Sequence, residues 1–165
     1  MKKPIPEKPK AGQESVWDYP RPPRLEPTSK HIRIVFNDQI IVDTNRALRM
    51  LETSHPPTYY LPMEDVNQQF LRFSGNTSFC EFKGSAKYYD VVVGGREALK
   101  TAWYYPDPSP KYPNLQGHIA FYARPMDACY VNDEKVTPQE GPFYGGWITD
   151  DLAGPFKGGP GSWGW

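Results

Sequence analysis

The stretch KYYDVVVGGREALKTAWYY, residues 87–105, indicates the fold of this chain more clearly than any other part of the sequence. The runs on either side of Gly94-Gly95 are both rich in β-branched and aromatic residues. Two glycines between such runs are typical of the tight turn of a β-hairpin, because glycine readily adopts positive φ angles. The stretch therefore predicts two antiparallel strands joined by a type I′ turn.

Shorter runs on both sides of this hairpin have the same character. Residues 31–42 alternate apolar and polar side chains or carry β-branched ones, and Asn37-Asp38 interrupts them with turn residues. Residues 117–122 and 128–131 predict two more strands, the second followed by a turn at Asn132-Asp133. Several short strands with turns between them predict a mainly β fold, an antiparallel sandwich or open barrel built from hairpins.

One short segment favours a helix. Residues 46–52 are good helix formers, Thr44 or Asn45 can serve as the N-cap, and Pro56-Pro57 must end any helix that begins there. The sequence thus predicts one helix of about two turns. Residues three apart share a face of a helix.

Proline and glycine are unevenly distributed, which suggests how the chain is organised. Seven of the 19 prolines lie in residues 1–27, and eight of the 14 glycines follow residue 140. We therefore predict a Pro-rich N-terminal arm (1–27), a β domain (28–138) and a Gly/Trp-rich C-terminal tail (139–165). The arm either binds a separate domain or lies across an aromatic surface of this chain or of a second copy. The second alternative is favoured, because Trp17 and Tyr19 would otherwise stay exposed.

Charge and apolar runs exclude some functions. The chain of 165 residues has 19 Lys and Arg against 19 Asp and Glu, so it lacks the basic surplus of proteins that bind nucleic acid non-specifically. Its longest aliphatic run, Val91 to Val93, is far short of a membrane span, so we expect no nucleic-acid partner and no membrane partner. Two widely spaced cysteines and no secretory leader predict a cytoplasmic protein.

The segment from Arg49 to Tyr59 concentrates reactive side chains. On the predicted helix, Arg49 and Glu52 share one face, and His55 follows where the helix ends. In one interpretation Glu52 orients His55, His55 acts as a general acid or base, and Arg49 clamps a carboxylate or phosphate. In the simpler interpretation, Arg49 and Glu52 form a structural ion pair.

Two further positions extend this candidate site. Lys83, which precedes Gly84, is a candidate anion-binding residue, and Cys80 is either an activated thiol or a small buried side chain. Aromatic side chains such as Trp103 either fill the core or line a pocket. The complete set of predicted ligand-binding residues is Arg49, Glu52, His55, Tyr59, Lys83 and Trp103. No metal is predicted, because the three histidines and two cysteines lack metal-ligand spacing, and the cofactor remains unknown.

Five blocks carry a family resemblance: Glu14–Pro23, Arg46–Pro62, Cys80–Gly84, Ala102–Pro108 and Gly117–Tyr122. In this order, over about residues 14–138, the sequence resembles the domain-of-unknown-function 427 family of bacteria, including cyanobacteria, and fungi. The Gly/Trp-rich end is similar to an extension in cyanobacterial members. Some members carry a nucleotidyltransferase-like label, but this chain has neither a P-loop nor suitably spaced carboxylates for phosphates and magnesium.

The sequence thus leaves two functions open. The first is a small domain of uncharacterised activity whose pocket binds a small polar or anionic metabolite. The alternative is an interaction or assembly protein, for instance a homodimer, that uses the Pro-rich arm and the Gly/Trp-rich tail. Whether the protein is an enzyme is not determined by the sequence, and His55 is the residue on which an enzymatic function would depend.

Overall fold

The computed structural model of the protein describes residues 3–165, so the first two residues of the predicted arm lie outside it. The described chain is mainly β, and its helices are short 3-10 turns at Val16–Asp18, Met63–Asp65, Gln68–Phe70 and Pro113–Leu115. The strands are β1 (Glu14–Ser15), β2 (Arg24–Pro27), β3 (Ile32–Phe36), β4 (Gln39–Thr44), β5 (Leu48–Leu51), β6 (Thr58–Pro62), β7 (Leu71–Cys80), β8 (Gly84–Val93), β9 (Arg96–Pro108), β10 (His118–Phe121), β11 (Ala128–Val131), β12 (Glu134–Lys135), β13 (Thr137–Pro138), β14 (Trp147–Ile148) and β15 (Leu152–Ala153).

Two antiparallel sheets enclose the main core. The larger has the order β2-β5-β6-β10-β9-β8-β7, and the smaller has the order β12-β11-β3-β4. Side chains from both sheets form one buried cluster, so the sheets pack face to face. Neither sheet closes into a barrel. The prediction of a mainly antiparallel β fold is confirmed.

The turns explain why the hairpins could be predicted. Asn37-Asp38 and Asn132-Asp133 all have φ between 48° and 67°, as a type I′ turn requires, and they join β3 to β4 and β11 to β12. Gly94 has φ +61° between β8 and β9, whereas Gly95 lies outside the left-handed region. The hairpin predicted at residues 87–105 is confirmed, but its turn is not of type I′.

The predicted helix at residues 46–52 is wrong. Leu48–Leu51 forms β5, which pairs with β2 on one side and with β6 on the other. A two-turn helix gains little from propensity alone, whereas a strand between two neighbours satisfies its backbone polar groups and buries Met50 and Leu51. Side chains of a strand alternate between its faces, so Arg49 and Glu52 do not share one.

The N-terminal segment (residues 3–27) and the C-terminal segment (residues 139–165) pack against each other and against the sheets. β1 pairs in parallel with β15, and the indole Nε1 of Trp17 donates to the carbonyl oxygen of Pro155 at 2.9 Å. Part of the N-terminal segment enters the larger sheet as its edge strand β2. None of the helices in residues 3–165 has the length and apolar character needed to cross a membrane.

Candidate functional site

A cleft of about 420 Å³ lies on the face of the larger sheet that points away from the smaller sheet. Alternation along β6 directs Tyr59 into the core between the sheets and Tyr60 toward the cleft. On β9, Ala102 likewise points into the core between the sheets and Trp103 toward the cleft. The cleft is lined by Met50, Glu52, His55, Pro56, Thr58, Tyr60, Ser78, Cys80, Glu81, Phe82, Lys83, Tyr88, Trp103, Tyr105, Tyr122, Gln139, Phe143, Tyr144, Gly145 and Lys157.

Four of the six predicted ligand-binding residues line this cleft: Glu52, His55, Lys83 and Trp103. Arg49 and Tyr59 do not line it. They are directly opposite each other on β5 and β6, on the face toward the core. They lie outside the cleft because residues 48–51 form a strand rather than the predicted helix, and alternate side chains of a strand point to opposite faces.

Arg49 belongs instead to an ion cluster in which the guanidinium is buried and the carboxylates are partly exposed. Its guanidinium lies 2.6 Å from a carboxylate oxygen of Glu26 and 3.3 Å from one of Glu14, and the Tyr19 hydroxyl donates to Glu14 at 2.6 Å. Burial opposes the charge on Arg49, but the two carboxylates raise its pKa above the ordinary arginine value. Tyr59 lies beneath the cluster, where burial raises its pKa to about 12. The cluster holds the N-terminal segment on the sheet.

His55 is held in one orientation by Gln139. The Gln139 side-chain oxygen accepts the backbone N–H of Gly146 at 3.0 Å, and its Nε2 donates to the carbonyl of Lys157 at 2.8 Å. Those two backbone groups fix which end of the amide is oxygen. The remaining Nε2 hydrogen therefore points to Nδ1 of His55, 3.0 Å away, and Nδ1 must accept it.

The charge state of His55 follows from this environment. Burial lowers its pKa to about 4, and the positive charges of Lys157, Arg21 and Lys83 lower it as well, whereas Glu52 acts in the opposite direction. Nε2 of His55 lies 3.6 Å from the Glu52 carboxylate. At neutral pH the imidazole is therefore neutral and carries its proton on Nε2.

The negative charge of Glu52 is partly neutralised by Arg21, a residue that does not line the cleft. Arg21 lies 3.5 Å from the Glu52 carboxylate, and its guanidinium also donates to the carbonyl of Thr53 at 2.9 Å. The second carboxylate, Glu81, is exposed at the rim. Glu52 is thus the carboxylate that a bound molecule meets inside the cleft, and its charge is already offset.

Two lysines supply the positive charge of the cleft. Burial acts against the charge on Lys83, yet the acidic groups of Tyr60, Cys80 and Glu52 raise its pKa above the ordinary lysine value. Lys157 places its ammonium 5.8 Å from the centre of the Tyr144 ring. Within residues 3–165 neither lysine forms an ion pair with an Asp or Glu side chain. The Lys157 ammonium donates to the main-chain oxygen of Trp165 at 3.4 Å, so Lys83 is the more available of the two to an anion.

Aromatic rings form the floor of the cleft. The Trp103 indole donates from Nε1 to the Tyr60 hydroxyl at 3.3 Å, and its ring centre lies 4.5 Å from that of Tyr122. Gly145 packs directly on the indole, because a Cβ at this position would lie 2.3 Å from Cη2 of Trp103. The C-terminal segment thus closes one side of the floor.

Residues 24–132 of the chain match the family described as Domain of unknown function (DUF427). The chain belongs to this family. No curated protein matches it. The DUF427 domain contributes Glu52, His55, Lys83 and Trp103, whereas Gln139 and Lys157 lie beyond the matched residues.

Sequence reasoning missed Gln139, Tyr144 and Lys157 because they lie in the stretch predicted to be a tail. Tyr144 meets the His55 ring edge-on at 5.3 Å between centres, and Gln139 fixes the tautomer of that ring. No local pattern marks these residues. The cleft of this DUF427 protein is therefore a joint product of the domain and the segment that follows it.

The arrangement limits what His55 can do chemically. A neutral imidazole whose Nδ1 is occupied cannot accept a proton there, and an Nε2–H is a hydrogen-bond donor rather than an acid near neutral pH. In this tautomer His55 presents a hydrogen-bond donor, Nε2–H, toward the cleft. Within residues 3–165, no group of three or more His, Cys, Asp or Glu side chains is placed to hold a metal ion.

Proposed function

We propose that the protein binds a small polar or anionic metabolite in the cleft between the DUF427 domain and the C-terminal segment. The observation that carries the proposal is the presence of two ammonium groups, those of Lys83 and Lys157, in one cleft, neither of them in an ion pair with an Asp or Glu side chain of residues 3–165. Glu52 favours the charge on Lys83, but Glu52 is itself shared with Arg21 at 3.5 Å. A bound anion supplies the further counter-charge that a largely buried ammonium requires.

The other groups of the cleft favour a small ligand with an organic part. The aromatic floor around Trp103 offers apolar surface, while His55 and the tyrosine hydroxyls offer hydrogen bonds. Small-molecule sites in proteins commonly combine such a surface with a few polar groups. A volume of about 420 Å³ is within their usual range.

The proposal is tested by thermal unfolding of the full chain against organic acids, sugar phosphates, nucleotides and amino acids. A ligand that binds only the folded state raises the apparent Tm by mass action. Hits are then measured by isothermal titration on wild type and on Lys83→Gln. We expect a selective hit whose affinity falls roughly tenfold or more in Lys83→Gln, because a charge-assisted contact is lost.

Lys87→Gln is the matched control. Lys87 lies on β8, four residues after Lys83, but it is exposed and outside the cleft. The affinity of the hit should therefore be unchanged in this variant. Equal loss in both variants would mean that the cleft is not the binding site, and no selective hit in the whole set would contradict the proposal.

Exposed aromatic side chains support assembly as a second candidate function. Phe143 and Trp163, both in the C-terminal segment, are 83% and 76% exposed. Large exposed apolar side chains are common at protein interfaces. Sedimentation velocity of wild type and of the double variant Phe143→Ser, Trp163→Ser tests this: assembly predicts a dimer that the variant loses, and a monomeric wild type contradicts it.

We propose a cytoplasmic location on the state of the two cysteines. Cys80 and Cys129 are both free, and Cys129 is buried. Free thiols are typical of reducing compartments. Fractionation of the native cells checks this, and recovery of the protein outside the cytoplasm would contradict it.

A further inference from the structure

We propose that Gln139 is the positioning residue that fixes His55 as the Nε2–H tautomer, so that the imidazole donates to an oxyanion of the bound ligand. The first half of this inference concerns the protein alone. The second half rests on the proposed function and narrows its ligand class to molecules with a carboxylate or phosphate group.

The hydrogen-bond pattern around Gln139 leaves one arrangement. Its side chain is buried, with 3% of its surface exposed. If the amide were reversed, its oxygen would face the carbonyl of Lys157 and its NH₂ group would face the N–H of Gly146, so both contacts would be lost. The amide nitrogen therefore faces Nδ1 of His55, and a proton on Nδ1 would collide with an N–H.

The fixed tautomer determines what the cleft can recognise. Nε2–H of His55 and the ammonium groups of Lys83 and Lys157 are donors with no acceptor capacity. Glu52, the carboxylate beside His55, lies 3.5 Å from the Arg21 guanidinium and 3.6 Å from Nε2 of His55, which is longer than a hydrogen bond, so the Nε2–H is still open to a ligand acceptor. A group that only accepts hydrogen bonds and carries negative charge complements these three donors, and carboxylate and phosphate have both properties.

The charged groups that face His55 are consistent with this arrangement. Three cations act against an imidazolium and one carboxylate favours it; they are Lys157, Arg21, Lys83 and Glu52. The Tyr144 ring packs against the His55 ring in a T-shaped arrangement, with 5.3 Å between the ring centres. Burial and the majority of the neighbouring charges thus act in the same direction as the Gln139 contact.

Nitrogen-15 NMR of the imidazoles in the ligand-free full chain tests the positioning role. The chain has three histidines, and His118 is an internal reference because its Nδ1 lies 3.1 Å from the carbonyl of Gln116 and must donate to it. We expect the Nε2–H tautomer for His55, with Nδ1 free of a proton, and a proton on Nδ1 for His118. An Nδ1–H tautomer or an imidazolium for His55 at pH 7 would overturn the proposal without any variant.

Gln139→Glu gives the second readout. A carboxylate at this position accepts a hydrogen bond from Nδ1–H and favours the imidazolium, so His55 should titrate at or above the ordinary value of about 6.5. If this variant does not fold, Gln139→Met removes the donor without adding charge and should release a mixture of tautomers. An unchanged His55 spectrum in a folded variant would show that Gln139 does not hold the ring.

The ligand half is tested with inorganic phosphate and succinate as probes, which separate the two sources of an oxyanion. His55→Gln keeps a donor near the position of Nε2, whereas His55→Asn keeps the contact to Gln139 but lacks that donor. We expect at least one probe to bind, His55→Asn to weaken it roughly 10- to 100-fold and His55→Gln to restore most of the affinity.

Each other result has a definite meaning. Equal affinity in wild type and both variants would overturn the donor role while leaving the proposed function intact. Binding of neither probe would overturn the oxyanion class, and the wider compound set then decides whether the cleft binds anything. The NMR result stands apart from both, because it needs no ligand.

Discussion

At the scale of a single residue, Arg49 places a positive charge in the interior of the protein. The N-terminal segment supplies the carboxylates that neutralise this charge. Only 9% of its side chain is exposed, whereas Glu14 and Glu26 are 41% and 33% exposed. A buried charge without its partners is far less stable than the complete cluster. The two carboxylates and the guanidinium therefore act as a clamp between segment and sheet.

We expect Arg49→Met to lower the free energy of unfolding by about 2 kcal/mol, since the carboxylates lose their cation but can still reach water. The measurement is a urea unfolding curve followed by fluorescence. Arg24→Met is the control: Arg24 also pairs with Glu26, at 3.7 Å, but it is exposed, so its removal should cost less than about 0.5 kcal/mol. Equal effects of the two variants would contradict the clamp.

His55 makes stability depend on pH in a definite direction. Its pKa is lowered from 6.5 to about 4 in the folded chain, so between these values the unfolded chain binds more protons. Stability should rise with pH across this window and fall as pH drops through it, by an amount on the order of 3 kcal/mol. Urea unfolding from pH 7 to pH 4 measures it.

The contribution of His55 is the difference between wild type and His55→Gln, because the carboxylates titrate in both. The variant should lose less stability than wild type between pH 6.5 and pH 4.5. Parallel curves for the two proteins would mean that His55 is not held neutral.

At the scale of elements, the contact between Gly145 and β9 decides the shape of the cleft. A Cβ at this position would lie 2.3 Å from Cη2 of the Trp103 indole, so any side chain here forces the segment or the ring to move. The segment can therefore approach the sheet this closely only through glycine.

We expect Gly145→Ala to cost about 1–3 kcal/mol in unfolding free energy and to shift the Trp103 fluorescence, as overpacking does. Gly95→Ala is the matched control, because nothing lies within 4 Å of a Cβ there and φ is outside the left-handed region. It should change stability by less than about 0.5 kcal/mol. A neutral Gly145→Ala would show that the segment is free to move away from the sheet.

The elements that could be predicted from the sequence are those whose signals are local. Asn37-Asp38 and Asn132-Asp133 prefer positive φ through their own side chains, and so their hairpins could be recognised. The failure at β5 has the opposite cause. Residues 48–51 favour a helix locally, but pairing with two strands distant in sequence outweighs that preference.

The residues of the candidate site, like the strands, could be predicted only in part from the sequence. Glu52 and His55 were recognised by their chemistry, and the structure brings them into one cleft with Lys83. A helix would place Arg49 on the same face as Glu52, but residues 48–51 form a strand, and its alternation directs these two side chains to opposite faces. Gln139 could not be recognised, since its role arises from backbone contacts made only in the folded chain.

At the scale of the whole molecule, the C-terminal segment reaches the centre of the fold. Trp147 is 1% exposed, its ring centre lies 5.2 Å from that of Tyr59, and its Nε1 donates to the carbonyl of Phe121 at 3.1 Å. Trp163 in the same segment is 76% exposed. One segment thus carries both a core residue and a surface residue of the same type.

We expect Trp147→Ala to lower the free energy of unfolding by about 3–5 kcal/mol, and Trp163→Ala to change it by less than about 0.5 kcal/mol. The first removes a large buried ring and leaves a cavity, while the second removes a ring that is mostly in water. Paired urea unfolding curves measure both, and similar midpoints would contradict the central position of Trp147.

Removal of residues 139–165 extends the same reasoning to the domain boundary. A chain of residues 1–138 lacks Trp147 and the β15 partner of β1, so the core and the N-terminal segment both lose contacts. We expect it to show no cooperative transition by circular dichroism, whereas the full chain shows one. If residues 1–138 unfold cooperatively, the segment is an appendage to an independent β domain. In that case, the contacts that Gln139 makes in the cleft are additions to a fold already complete without them.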